Sequence, residues 1–441
     1  MSDREELNNR RQQREARRKQ LLEQQRKLRM KLIIATVVLV VCAVLIGVLA
    51  WSNRPPAPPE DATQPPQTQE TTPATTEPEE TEKAKRDPTT VIHIRAAGDL
   101  NVTDEVILSG AGTNGYDFTT AFLGVAGALS DADMTLLNFE GNLCGEPYGT
   151  ASTSAPIQLA HALKAAGVDN DQTANSCSVN NGLLGMTSTM NSFRSAGIEP
   201  VGTFSSPEEF RKTKGYTICQ IQGIKVAVVA FTKGVGSMGL PAGSEDCVNL
   251  LYTDYATTYQ EIDKDGIRKV LKDVASEKPD VTIALLHWGS EYNDTISASQ
   301  KSIASLMKSN GVDVIIGTHP HRVQSIEYDE LNGTLVAYSL GDFFGSAVEA
   351  GSNYSIILDV EITRDSDAGT TQVTGYSIIP IYTLKQSETC DSQRRVVVIE
   401  DAMKAYREDY VDKITPEAYA SLDTSLERIS ERIEPETNKK K

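Results

Sequence analysis

The sequence predicts a layered α/β domain held behind a membrane anchor, and three observations carry that prediction. From Val91 onward, apolar strand-like runs alternate with helix-like segments, the pattern of sheets covered by helices. The runs end repeatedly in Asp, Glu, Asn or His, at the place where open α/β sheets put their ligands. Before Val91 the composition changes abruptly from one segment to the next.

The N-terminal segments read in order. Residues 1–31 hold eleven Lys and Arg against five Asp and Glu and form a basic cytoplasmic segment. The chain as a whole is at −17, so the remainder is strongly acidic. That acidity excludes nucleic acid as a partner, which needs a basic footprint. Leu32–Trp51 is an apolar run without a charge, about the ~20 residues that a bilayer core demands. A cleaved signal peptide is the competing reading, but its apolar core is shorter and no small-x-small cleavage site precedes Trp51. The basic flank keeps the N-terminus in the cytoplasm. The expectation is a single-pass cell-membrane protein, anchored through residues 32–51, with everything after them extracellular. Residues 52–90, rich in Pro, Thr and Glu, cannot bury a core and are expected to be a disordered linker.

The domain is then built element by element. Val91–Ala97 reads as a strand, Phe118–Leu129 as a helix and Met134–Phe139 as a second strand. Ser154-Ala-Pro opens a helix that stops at Gly167, and a weaker strand leads to Ala174. Gly182–Ala196 is helical in pattern, and Tyr216–Phe231 reads as a hairpin turning at Gln222-Gly223. Lys233–Thr258 is a long Gly-rich loop able to lie over a site. Two helix–strand pairs follow: Tyr259–Ser276 before Val281–Leu286, and Ser297–Ser309 before Val312–Ile316. Thr334–Tyr338, Tyr354–Ile362 and Thr371–Ile379 are further strands. The domain is placed at 91–385, with 386–441 as a helical, polar tail.

The chemistry lies at the strand ends. His287 follows the first of the two paired strands; Gly317-Thr318-His319-Pro320-His321 follows the second. On extended backbone, residues two apart face one side, so His319 and His321 are expected to converge, stiffened by Pro320. Three of only five histidines thus sit at strand ends, which points to a metal or phosphate site. Asp99, Glu140 and Asn175 also end strands, giving the mixed O/N donor set that Mn, Zn or Fe prefers. Glu291 and Asp342 are expected as partners that orient the ligands. Taken singly, Asp99 reads first as a turn cap, Glu140 as a solvated charge and Asn175 as a turn former, and only their joint placement points to a site. His93, inside a strand, and His161, in mid-helix, are read as structural or exposed.

In order along the chain, Gly98-Asp99, Asn138-Phe139-Glu140, Ala174-Asn175, His287-Trp288-Gly289-Ser290-Glu291-Tyr292, Gly317-Thr318-His319-Pro320-His321 and Tyr338-Ser339-Leu340-Gly341-Asp342-Phe343 resemble the CapA family of capsule-synthesis proteins, linked to poly-γ-glutamate capsules. The resemblance spans roughly 91–385. It implies a calcineurin-like metallophosphatase fold, a four-layer β-sandwich of two sheets flanked by helices. It further implies an extracellular role in the biosynthesis, export or anchoring of an anionic polymer such as poly-γ-glutamate, with that polymer and membrane polymer-synthase subunits as partners. Metal-dependent phosphoester hydrolysis is the implied chemistry, with His287, His319 and His321 as catalytic candidates. The chain departs from the family at Ala174-Asn175-Ser176-Cys177, where Ala-Asn-Asn-His is usual, and at Gly341-Asp342-Phe343, where Gly-Asn-Phe is usual. The first departure removes an acid or phosphate contact and favours a non-catalytic binding or scaffold protein as the second reading. If the loops bearing Cys144 and Cys177 line one site, the two are expected either to form a disulfide bracing it or to remain buried thiols.

Overall fold

The computed structural model describes residues 89–236, 239–408 and 414–434. The basic segment 1–31, the apolar run 32–51 and nearly all of 52–90 lie outside the described residues. No helix among the described residues is long and apolar enough to cross a membrane.

Sixteen strands are present among these residues: β1 Thr89–Asn101, β2 Ala111–Gly112, β3 Gly115–Tyr116, β4 Met134–Glu140, β5 Asn170–Gln172, β6 Glu199–Val201, β7 Tyr216–Ile221, β8 Ile224–Thr232, β9 Val281–His287, β10 Val314–Thr318, β11 Ile326–Asp329, β12 Thr334–Ala337, β13 Asp342–Phe344, β14 Tyr354–Asp365, β15 Thr370–Leu384 and β16 Arg395–Val398. One sheet runs β16-β15-β14-β1-β4-β5-β6, with β13 also pairing β1; the other runs β11-β12-β10-β9-β8-β7. β1 and β4–β6 run parallel in the first, as do β8, β9, β10 and β12 in the second.

The apolar residues sort these sheets by the period-two rule of strands. Ile92, Ile94, Met134 and Leu136 of the first sheet share one core with Val226, Val228, Ile283, Leu285, Val314 and Ile316 of the second. The opposite face of the first sheet, through Leu137 and Phe139, packs on the helices Gln158–Ala166 and Gly182–Ala196. The opposite face of the second, through Ala284, Leu286 and Ile315, packs on the helices Lys264–Ser276 and Ala298–Lys308. The fold is a mixed α/β arrangement with helices, sheet, sheet and helices in succession.

Three expectations need correction. The helix expected over Phe118–Leu129 is two short turns, Thr119–Phe122 and Ala126–Ser130. Gly124 interrupts it because the backbone of β16 crosses there; a Cβ on Gly124 would lie 2.7 Å from the Val396 carbonyl oxygen. The helix expected from Tyr259 starts at Lys264, where the Asp263 side chain caps the Gly266 amide. Finally, a boundary at 385 does not separate two bodies among the described residues. β16 extends the first sheet, and Ile399, Met403, Ala418, Leu422 and Ile429 of the helices Ile399–Arg407 and Pro416–Ile433 enter the inter-sheet core.

Candidate metal centre

The strand periodicity that sorts the apolar residues also aims the polar ones. Asn138 and Glu140 continue the inward face of Met134 and Leu136, and His287 continues that of Ile283 and Leu285. Each therefore enters the space between the sheets just where the apolar run stops. Two glycines let the strand ends come close enough. A Cβ on Gly98 would sit 1.8 Å from the Gly341 carbonyl oxygen, and one on Gly317 would sit 2.0 Å from that of Tyr338. At Gly98 the register of β1 against β4 slips, which turns Asp99 toward the histidine loop, where its Oδ2 accepts the His319 amide at 3.0 Å.

The two loop histidines converge, but not by strand alternation. β10 ends at Thr318, and His319 and His321 adopt φ values of 90° and 55°. Left-handed backbone at non-glycine residues costs about 1–3 kcal/mol each and survives only where the surroundings impose it. The result is a tight turn that brings the His319 ring centroid to 4.3 Å from that of His287 and 5.9 Å from that of His321.

Asp99, Glu140, His287, His319, His321 and Asp342 are all buried, a costly assembly unless its charges are paired. His287 Nε2 lies 3.0 Å from Glu140 Oε1, and its Nδ1 faces the Thr232 hydroxyl at 3.1 Å. That hydroxyl gives its own proton to the Gly234 carbonyl, so it accepts the Nδ1 proton and leaves Nε2 as the nitrogen that faces the cluster. His321 Nδ1 pairs with Asp342 at 2.8 Å and lies 3.3 Å from Asp99. Asn138 Nδ2 bridges Asp99 Oδ1 at 2.6 Å and Glu140 Oε1 at 3.1 Å.

The proton affinities follow from this packing. Burial pushes the Glu140 carboxyl up, but the charge and hydrogen bond of His287, with His321 and His319 behind, hold it below the usual range. Burial opposes charge on His321, yet Asp342, Asp99 and Glu140 raise it well above an ordinary histidine. Burial and the neighbouring His287 push His319 well below. Burial raises Asp342 to about 6 against the pull of His321.

These residues fit a divalent cation. Three overlapping sets, Glu140/His287/His319, Glu291/His319/His321 and Asp99/Glu140/His321, each bring one ligand atom per residue to within 4.8 Å of the others. His319 Nδ1 is buried without a hydrogen-bond partner, an orphan that a buried polar site does not normally tolerate. Carboxylate and imidazole donors together suit Mn, Zn or Fe.

Other expected residues behave differently. Asn175 is buried beside the cluster, but its carboxamide is engaged in holding its own loop. Nδ2 donates to Asn138 Oδ1 at 3.1 Å and the Phe139 carbonyl at 2.7 Å, and Oδ1 accepts the Cys177 amide at 3.0 Å. In this geometry it braces β4, which carries Glu140, while its Oδ1 keeps a second lone pair. Glu291 sits on the exposed rim, with a carboxylate oxygen within 4.8 Å of ring nitrogens of His319 and His321, whereas Asp342 does orient His321. His93 pairs with Asp359 at 2.8 Å within the sheet, and His161 is exposed; neither enters the cluster. Cys144 and Cys177 form no disulfide: both are free thiols. Cys144 Sγ lies 3.4 Å from the Ser154 hydroxyl and Cys177 Sγ 3.8 Å from that of Ser176, and burial with the nearby Glu140 pushes the Cys177 thiol up to about 12. Asn138 and Thr232 were not singled out from the sequence. Each had a signal, since Asn138 shares the face of Glu140 and Thr232 ends a strand in register with His287.

Residues 93–346 match a family model described as bacterial capsule synthesis protein PGA_cap. The chain belongs to this family. It is similar to the capsule biosynthesis protein CapA of Bacillus anthracis, 26% identical over 325 residues, which cover 71% of this chain and 72% of the relative. It is also similar to the PGA biosynthesis protein CapA of Bacillus subtilis (strain 168), 29% identical over 171 residues, 39% of this chain and 41% of the relative. Among solved structures, a phosphatase from Mycoplasma pneumoniae aligns with a TM-score of 0.41 at 14% identity, covering 67% of this chain and 94% of the other.

Proposed function

We propose that this family member acts at the cell surface in the biosynthesis, export or anchoring of an anionic capsule polymer such as poly-γ-glutamate. In this reading residues 32–51 anchor it in the cell membrane, the N-terminus is cytoplasmic, and the domain is extracellular on a metallophosphatase-type sandwich. Polymer-synthase subunits in the membrane and the polymer itself are its partners. The observation that carries the reading is that Asp99, Glu140, His287, His319 and His321 fall in overlapping buried sets of metal-ligand type, donors that suit metal-assisted hydrolysis of a phosphoester or related bond.

Asp99, Glu140, His287, His319 and His321 would hold the ion, with Glu291 at the rim. A divalent metal bound there supplies charge that polarises an oxygen of the scissile group and a water made more acidic. The protein's own contribution is orientation. Thr232 fixes the His287 tautomer, Asp342 fixes His321, and Asn138 holds the Asp99 and Glu140 carboxylates at a set separation. The strained His319–His321 turn keeps the rings in place without reorganisation.

A second reading, a binding or scaffold protein on the same frame, is favoured by the Asn175–Cys177 loop. Its amide is spent internally, its thiol is protonated, and it carries no imidazole. The two readings separate by measurement. The full chain, purified in detergent without chelator, is expected to carry Mn, Zn or Fe near stoichiometry, and His319→Ala to lose it together with phosphodiester hydrolysis. Near-zero metal in the wild type sinks the metal-centre reading; stoichiometric metal without hydrolysis of any phosphoester leaves the scaffold.

A further inference from the structure

Beside the cluster, a cleft of about 550 Å³ opens on His319 and is lined by Ser176, Lys233, Tyr259, Ser290 and Glu291. Lys233 is the one Lys or Arg among the described residues lining it. It follows β8 directly, and its half-buried side chain is fixed at two points. Nζ donates to the Gly289 carbonyl at 2.7 Å and lies 4.7 Å from the Tyr259 ring centroid. An ammonium has three donors and no acceptor. The carbonyl takes one, and the ring face satisfies charge without an acceptor lone pair, so donor capacity remains on the cleft side.

The rest of the wall says what that donor meets. Ser290 and Tyr259 offer hydroxyls, Ser176 already donates to Glu140 Oε2 at 3.1 Å, and no large aliphatic side chain lines the cleft, so a ligand filling it is polar. Glu291 is the single carboxylate on the wall. Its oxygen lies within 4.8 Å of the ring nitrogens of His319 and His321, so a cation held by those histidines absorbs its charge. Lys233 is then the charge that faces a ligand.

Resting on the reading of the His319 end as the reactive site, we infer that Lys233 is the oxyanion-recognition residue of this cleft, seating a phosphoryl or carboxylate group of the substrate next to His319. The cleft thereby selects an anionic, hydrogen-bonding substrate in a chain whose overall charge, −17, would otherwise repel one. A purely structural lysine, bracing the Gly289 loop, is the competing explanation.

The experiment uses the full chain in detergent, loaded with Mn²⁺, as wild type, Lys233→Met and Lys233→Arg. Inorganic phosphate and glutarate are titrated calorimetrically, and metal content and Tm are measured alongside. Lys233→Met is expected to keep its fold and metal while weakening at least one probe by tenfold or more, and Lys233→Arg to stay within about threefold. The probe that responds identifies the group as phosphoryl or carboxylate. Binding of both probes to Lys233→Met within twofold of wild type overturns the inference, as does absence of binding to the wild type. Lys233-dependent binding in a chain that holds no metal upholds the inference and removes the metal reading; Lys233-independent binding in a metal-loaded chain does the reverse.

Discussion

Two loops close the same end of the inter-sheet space, and they treat similar side chains in opposite ways. The His319–His321 turn presents its donors. It is strained at both histidines, its His319 Nδ1 has no partner, and its His321 is aimed by Asp342. The Asn175–Cys177 loop consumes its donors. The Asn175 carboxamide closes hydrogen bonds with Asn138, Phe139 and Cys177, and Ser178 ties the loop to Thr173. Both loops look equally rich in ligand-type residues when written as sequence. The hydrogen-bond account separates a loop with an unpartnered buried ring nitrogen from one whose carboxamide and hydroxyls are already paired.

That contrast breaks most readily at Asp342. Asp342→Asn preserves shape but removes the charge that aims His321 at 2.8 Å. Losing such an outer partner typically costs ~10–100-fold in metal affinity, which competition titration against a chelator will read. The loss should be smaller than that of His319→Ala, and an affinity equal to wild type would show that His321 is not a ligand.

Asn175→Ala tests the supporting loop. It removes several buried hydrogen bonds and leaves their partners unpaired, a cost of about 2–3 kcal/mol in unfolding free energy, measured by denaturant titration of the metal-free chain. Metal stoichiometry is expected to stay unchanged. Loss of metal with intact stability would move Asn175 from brace to ligand.

The smallest effect isolates burial without function. Asp171 lies in β5 beside Leu137, on the helix side of the first sheet. It is fully buried, and neither oxygen has a hydrogen-bond partner. Burial raises its carboxyl well above the ordinary range, and the nearby Phe139 amide offsets little of that. A folded pKa raised above the unfolded one contributes stability that is complete below the unfolded value of 3.8. That contribution is lost as pH rises through the folded value. Asp171→Asn cannot ionise, so its Tm should exceed that of wild type at pH 8, with the advantage shrinking toward pH 4. A pH-independent difference would mean that Asp171 is not protonated in the fold.

The strand ends show how much could be read before the structure. Asp99, Glu140, His287, His319 and His321 were all visible as polar residues stopping apolar runs, and strand periodicity alone sends Glu140 and His287 inward. Their convergence has a local cause, so a local reading finds it. Cys144 and Cys177 show the opposite. The nearness of Cys177 to the cluster was legible, but the direction of each thiol depends on Ser154 and Ser176 contacts that no spacing encodes.

By itself, then, the sequence determined the α/β class, the period-two faces, the positions where chemistry-bearing residues stop the strands, and the family resemblance that the match over 93–346 bears out. Only the tertiary structure decided which partners each of those residues meets. The pairing partners of Asn175, His287 and His321 lie 36 or 37, 147 and 21 positions away, and β16 with the helices beyond it joins a core begun three hundred residues earlier at Ile92. Availability is a property of what a side chain has already bonded, and those bonds form between segments that meet only once the sheets have packed.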